Sequence, residues 1–265
     1  MSAHRLKDFV SKTDVKFGHF IVEFATPGIG HILKSAGCEY VLFDLEHSGF
    51  SFETVKSAMR YFEAADLPAI VRVPSKEYHH IARVLDVGAE GIMVPMVGSA
   101  AEARHIVSSM KYGPQGGRGV ALQVAHDRYR PGAVTAKLAD ANHRSTLFCQ
   151  IETAEGVENA DAIAAVEGVD CLWVGHFDLS SSLGVPGQFE SKKFLDAIDR
   201  VVRAARKQAR PWAGWCPMLR PVPTTIGGDF RSSATRATSG CCTMRSQLRS
   251  AGCAKCARAG RSKHD

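Results

Sequence analysis

The stretch PAIVRVPSKEYHHIARVLDVGAEGIMVPMV, Pro68 to Val97, decides the fold. Its first seven residues (68–74) are an apolar run interrupted once, by Arg72. Residues 78–88 change to a helical spacing of apolar side chains and stop at Gly88, and residues 91–97, GIMVPMV, are apolar again. A strand, a helix and a second strand in thirty residues make a βαβ unit. Its strands run parallel, because the helix supplies the return path. Strands apolar at successive rather than alternate positions are buried on both faces, as in a parallel sheet covered by helices.

The same rhythm extends in both directions. Before the stretch, HFIVEF (19–24) and YVLFDL (40–45) read as strands, and GIGHILKSAG (28–37) and SFETVKSAMRYFEAA (51–65) as helices. In the second helix Ser51 is the candidate N-cap, and Phe52, Val55, Met59 and Phe62 share one face. After it come a helix over 99–113, a strand TLFCQIET (146–153), a helix near 155–167, a strand beginning CLWVGHFDLS (171–180), a helix near 190–208 and a seventh strand in PWAGWCP (211–217). Seven such units favour an α/β chain of the (β/α)₈ TIM-type barrel, with an open doubly wound sheet as the alternative.

The rhythm stops there. Residues 1–216 form the expected barrel domain, and residues 217–265 read as an aberrant basic, Cys-rich tail, disordered or translated out of frame, so that the last βα unit is missing. Charge divides at the same place. Residues 211–265 carry nine Lys/Arg and two Asp/Glu, a net of +7, leaving 24 basic and 25 acidic residues, or −1, before them. The basic tail admits a nucleic-acid-binding reading, but the near-neutral body does not, and no nucleic-acid partner is expected. A zinc reading of the tail's CC and CAKC lacks a second properly spaced pair. Cys38, Cys149 and Cys171 sit in apolar contexts and read as reduced thiols. No apolar run reaches the roughly 18 residues that span a bilayer, and the N-terminus lacks a secretory pattern. A soluble, cytoplasmic protein is expected.

In a barrel of this kind chemistry gathers where the strands end. Asp44, Glu46 and His47 close the second strand, Arg72 the third, Gln150 and Glu152 the fifth, and Asp178 follows the sixth. Each has a plain structural alternative: Arg72 paired with a barrel carboxylate, Glu152 or Asp178 capping a helix, His47 an ordinary loop histidine. Together they are stronger, because charges at several strand ends need mutual compensation or a ligand. Carboxylates without a strand-end lysine suggest Mg²⁺ or Mn²⁺ rather than Schiff-base chemistry. YGPQGGRGV (112–120) is expected as a tight loop over the barrel mouth rather than a phosphate loop. His79, His80, His105 and His126 read as surface residues.

The motifs FDLEHSGF, VRVP, LDVGAEGIMVPMV, YGPQGGRG, QIETAEGVEN and VGHFDLSSSLG resemble, in order over roughly residues 17–216, the HpcH/HpaI family of metal-dependent class II pyruvate aldolases. That family includes 4-hydroxy-2-oxoheptanedioate and 2-keto-3-deoxy sugar acid aldolases. The resemblance implies a carbon–carbon lyase cleaving 4-hydroxy-2-oxo acids to pyruvate and an aldehyde through a divalent-metal-stabilised enolate. It implies His47 as base, Arg72 as the cation that stabilises the developing oxyanion, and Asp86 as the acid that raises the basicity of His47. Glu152 and Asp178 match the metal ligands, with Mg²⁺, Mn²⁺ or another divalent transition metal. Gln150, Phe177 and Asp178 match the surroundings of the 2-oxo acid substrate. A homo-oligomer, a hexamer with exchanged C-terminal helices, is implied as well. One departure is His176, where many members carry proline. The alternatives are an acyl-CoA lyase of the citrate-lyase β-subunit type, and a catalytically impaired protein with a nucleic-acid-binding tail.

Overall fold

The computed structural model describes residues 6–10, 16–215 and 241–245. A short helix α1 (Leu6–Val10) comes first. Then follow β1 (Lys16–Ile21), α2 (Ile29–Ser35), β2 (Tyr40–Asp44), α3 (Phe52–Ala64), β3 (Ala69–Arg72), α4 (Tyr78–Asp86), β4 (Gly91–Val94), α5 (Ala100–Met110) and α6 (Val134–Arg144). The second half continues with β5 (Thr146–Ile151), α7 (Ala154–Glu158), α8 (Ala160–Ala164), β6 (Cys171–Val174), α9 (His176–Ser182), α10 (Lys192–Lys207), β7 (Trp212–Trp215) and β8 (Cys241–Arg245). None of the helices among the described residues is long and apolar enough to cross a membrane.

Strands β1 to β7 pair in chain order and all run parallel, curling into a TIM-like sheet. The expected (β/α)₈-type barrel with an aberrant last unit is met as far as the seven parallel strands. β8 fills the gap antiparallel to both neighbours, with Ala213 opposite Met244 and Gly18 opposite Cys242. The expectation that the last βα unit is wholly missing is corrected to that extent, since residues 241–245 supply an eighth strand. Two facing sheet edges, each a row of unpaired N–H and C=O groups, select for extended backbone more than for bulky side chains. An antiparallel stave also needs no crossover helix. The remainder of the expected aberrant tail lies outside the described residues.

Two apolar layers hold the barrel. One lies between the sheet and its helices, where Val55, Met59 and Phe62 of α3 are buried as the spacing required. Ser51 caps that helix, accepting from Thr54 N at 3.2 Å. The second layer fills the lumen: Phe20, Leu42, Ile70, Met93, Phe148 and Trp173 meet there, with Leu6 of α1 below them. Leu6 seats against Gly91, where any β-carbon would collide with its side chain. Burying one such side chain stabilises by about 1.5–3 kcal/mol.

The helices return the chain to the end of the barrel where strands begin. The C-terminus of α4 therefore carries Asp86 to that end, and the C-terminus of α5 carries Lys111 and the loop after it there too. This corrects the expected placement of YGPQGGRGV over the mouth. Arg118 of that loop donates to Asp86 at 2.5 Å, and its backbone N–H to Lys111 O at 3.0 Å. His126 is corrected as well. It is buried, with Nε2 2.6 Å from Ala121 O and 3.3 Å from the Tyr112 hydroxyl.

Candidate active site

In a strand, side chains two apart share a face, so the apolar lumen residues predict what lies beyond them. Leu42 is followed by Asp44, Ile70 by Arg72, and Phe148 by Gln150. All three polar residues are buried, and they cap the apolar column at the end where strands finish. Register brings the first two side by side, since Asp44 pairs with Arg72 across β2 and β3. The contact is bidentate: Arg72 Nε donates to Asp44 Oδ1 at 2.7 Å and Nη2 to Oδ2 at 2.9 Å. Such a fork fixes direction as well as charge. Arg72 Nη1 lies 3.1 Å from Glu46 Oε2, and its guanidinium carbon lies 4.9 Å from the Phe20 ring centre. The plain alternative for Arg72, a barrel carboxylate partner, is thus part of the arrangement.

Asp44 also shapes the loop after it, accepting from the backbone N–H groups of Glu46 and His47, both at 3.0 Å. His47 is left projecting from that turn, 65% of its side chain exposed, with Nε2 3.8 Å from Glu46 Oε2. Glu152 is 2% exposed at the end of β5. Its Oε1 accepts from Met96 N at 2.7 Å and its Oε2 from the Gln150 amide, whose Oε1 has no protein partner. Gly175 makes room for it. A β-carbon there would strike the Glu152 carboxylate and lie 2.9 Å from Gln150 Nε2. Phe177 and Asp178, in the first turn of α9, are both exposed.

Electrostatics tie these residues into one site. Burial pushes the Glu152 carboxyl up to about 7, hydrogen bonds from Gln150 and Met96 oppose this, and Glu46 and Asp178 add to it by repulsion. Burial likewise raises Glu46, against the pull of Arg72, with Asp44 and Asp178 repelling it. Three carboxylates sense one another around a single guanidinium already gripped by a fourth. The donor set fits a hard divalent cation, which Glu152 and Asp178 would hold. Among the described residues no set of three or more His, Cys, Asp or Glu side chains is grouped ready for a metal, so other ligands would complete the sphere.

The structure brings together His47, Arg72, Gln150, Glu152, Phe177 and Asp178. It leaves Asp86 apart, at the opposite end of the barrel with Arg118. Sequence reading left open which carboxylate grips Arg72 and missed the backbone N–H of Met96 and the clearance at Gly175. The signal for the last was present, since a glycine directly after a strand and before DLSSS marks a close approach. His176 is buried beside Phe189 and Phe194, with ring centres 6.1 and 5.8 Å away, and burial lowers its imidazole to about 4.

Comparison with known proteins follows this geometry. The sequence model described as HpcH/HpaI aldolase/citrate lyase matches residues 18–210. The 5-keto-4-deoxy-D-glucarate aldolase of Shigella boydii is 35% identical over 68% of this chain and 69% of its own. The 4-hydroxy-2-oxovalerate aldolase of Novosphingobium aromaticivorans is 39% identical over 71% and 72%. Among solved structures, an HpcH/HpaI aldolase from Desulfitobacterium hafniense superposes with a TM-score of 0.73 at 33% identity, covering 79% of this chain and 80% of that one. The citrate synthase SbnG gives 0.72 at 29% identity, covering 88% and 92%.

Proposed function

The chain belongs to the HpcH/HpaI aldolase/citrate lyase family, and from that premise we propose that it cleaves 4-hydroxy-2-oxo acids to pyruvate and an aldehyde with the help of a divalent cation. One observation carries the reading: a buried carboxylate, Glu152, repelled by Glu46 and Asp178 at the same strand ends that present Arg72 and His47. Repulsion of this kind costs stability unless a ligand uses it.

When bound, Mg²⁺ or Mn²⁺ supplies Lewis acidity to the carbonyl oxygen of the 2-oxo acid. The chain's own residues do the rest. His47, projecting into solvent at the mouth, accepts the proton of the 4-hydroxyl as the C3–C4 bond breaks. A positioned base of this type contributes roughly 10²–10⁴ in rate. Arg72, locked by Asp44, presents a fixed positive charge where the oxyanion grows, an effect of about 3–4 kcal/mol in other enzymes. Gln150 holds Glu152 in place and offers its free Oε1 to the substrate side. The expected help of Asp86 to His47 requires a second copy of the chain, because the two residues lie at opposite ends of one barrel. A homo-oligomer would supply it, and mixing Asp86→Ala with His47→Ala protein should then restore part of the lost activity.

A second reading, an acyl-CoA lyase of the citrate-lyase type, is favoured by the likeness to a citrate synthase. One assay separates them. Pyruvate release from a 4-hydroxy-2-oxo acid, dependent on Mn²⁺ or Mg²⁺ and abolished in Glu152→Ala, supports the aldolase. Undiminished turnover after exhaustive chelation sinks the cation's role, and no pyruvate from the 2-oxo acid together with release of acetyl-CoA from a 3-hydroxyacyl-CoA supplied in its place favours the second reading.

A further inference from the structure

Met96, on the loop after β4, stands in the left-handed region at φ 56°, where any side chain but glycine is strained. Strain of this kind persists only where the surroundings hold it, and it gathers at functional sites. Here the same residue donates its N–H to Glu152 Oε1 at 2.7 Å. The next two residues are fixed in turn. Val97 N donates to Gln150 O at 3.1 Å, and the Val97 side chain is fully buried. Gly98 N donates to Glu102 Oε2 at 2.7 Å, and Gly98 O accepts from Asn159 Nδ2 at 2.7 Å. The chain thus leaves Met96 already tied down, so the left-handed turn is what lets the Met96 N–H face Glu152.

The two bonds on Gly98 differ in what they join. Glu102 belongs to α5, the helix that the loop itself opens, so its bond travels with the loop. Asn159 lies beyond Glu152, between α7 and α8, and ties the loop to the segment that carries the carboxylate. Asparagine before a helix normally spends its side chain on the helix's free N–H groups. Asn159 makes no such bond to α8; its amide is committed to Gly98, 61 residues away. Gly156 permits the approach, since a β-carbon there would lie 2.8 Å from Val97 O.

From these contacts we infer that Asn159 is a positioning residue for Glu152. By holding Gly98 O it keeps Met96 in its left-handed turn, and the Met96 N–H fixes the carboxylate that receives the divalent cation. The inference rests on the aldolase reading for the cation at Glu152. The Gln150 amide holds the other carboxylate oxygen, so Glu152 is set between two donors before a cation arrives. Groups that orient a ligand in this way contribute roughly 10–100-fold to metal affinity.

Asn159→Ala and Met96→Gly, alone and combined, test it. Mn²⁺ affinity is measured by calorimetry, and exchange of the Met96 amide by NMR in EDTA. Asn159→Ala should weaken Mn²⁺ binding roughly 10–100-fold and speed Met96 exchange at least about tenfold. Asn159→Asp, which keeps the shape and loses the donor, should do the same. Glycine enters the left-handed turn without strain. In Met96→Gly protein, Asn159→Ala should therefore cost less than about threefold in Mn²⁺ affinity, a coupling that general loosening of the fold does not give. Wild-type Mn²⁺ affinity or Met96 exchange in both Asn159 variants overturns the inference and leaves the aldolase reading standing. An equal loss with and without Met96→Gly overturns it as well. Wild-type protein that binds no Mn²⁺ overturns the inference and the cation's role together. Mn²⁺ binding that depends on Asn159, without pyruvate release by the wild type, upholds the inference and overturns the aldolase reading.

Discussion

Replacing Glu152 with glutamine should stabilise the cation-free fold above neutral pH. The carboxyl is 2% exposed and is held at about 7 instead of 4.5, first by burial. Ionising it inside the barrel therefore costs about 3 kcal/mol more than ionising it in the unfolded chain. The sign follows from proton counts. Below pH 4.5 both states hold the proton and nothing changes. From about 4.5 to 7 the folded chain keeps a proton that the unfolded chain has released, so stability falls as pH rises, then levels off. Glutamine does not titrate. It can still accept from Met96 N, and its new amide can donate to the partnerless Oε1 of Gln150 after that side chain flips. Urea unfolding in EDTA should show Glu152→Gln and wild type alike at pH 4.5, and the variant more stable by about 2–3 kcal/mol at pH 8. Adding Mn²⁺ should stabilise wild type at pH 8 and leave the variant unmoved. A variant less stable than wild type at pH 8 in EDTA, or a difference independent of pH, would refute the reasoning.

Three further outcomes follow from named contacts. His176, held at about 4 instead of 6.5, contributes stability that is complete above pH 6.5 and is lost, by about 3 kcal/mol, as pH falls toward 4. His176→Leu should remove that slope in urea titrations, and a persisting slope would assign it to other groups. Gly175→Ala places a methyl against the Glu152 carboxylate and 2.8 Å from its Cβ; kcat/KM should fall about 100-fold at low Mn²⁺ and partly recover at high Mn²⁺, with the fold costing about 1–3 kcal/mol. Arg72→Lys keeps the charge but loses the two-point grip on Asp44, so kcat should fall about 100-fold, and wild-type kcat in this variant would show that charge alone suffices.

The strands were legible because burial on both faces leaves uninterrupted apolar runs, and YVLFDL and PAIVRVP became β2 and β3 within a residue or two. HFIVEF was read three residues late. β1 spans Lys16–Ile21, because its start is set by pairing with β2 and β8 rather than by apolarity. α6 was missed because it buries only Ala141 and so leaves no apolar period to read. The helix expected near 155–167 is broken at Asn159, whose side chain donates to Gly98 O at 2.7 Å, a contact 61 residues away. The polar strand ends were legible as a group for the reason that carboxylates and arginine rarely interrupt an apolar run without cause. Their pairing was not. Asp44 with Arg72 depends on register across two strands, and the position of Asp86 depends on which end of the barrel a helix terminates.

The lumen's column of Phe20, Leu42, Ile70, Met93, Phe148 and Trp173 has an electrical consequence. It insulates the charged layer from below, so field lines from Glu46, Glu152 and Asp178 leave chiefly through the open end. A cation approaching from solvent meets their sum, undiluted by water on the far side. Wetting that column by cutting Phe148 to serine should therefore weaken cation affinity even though no ligand atom is altered. The deepest part of the barrel sets the strength of its mouth.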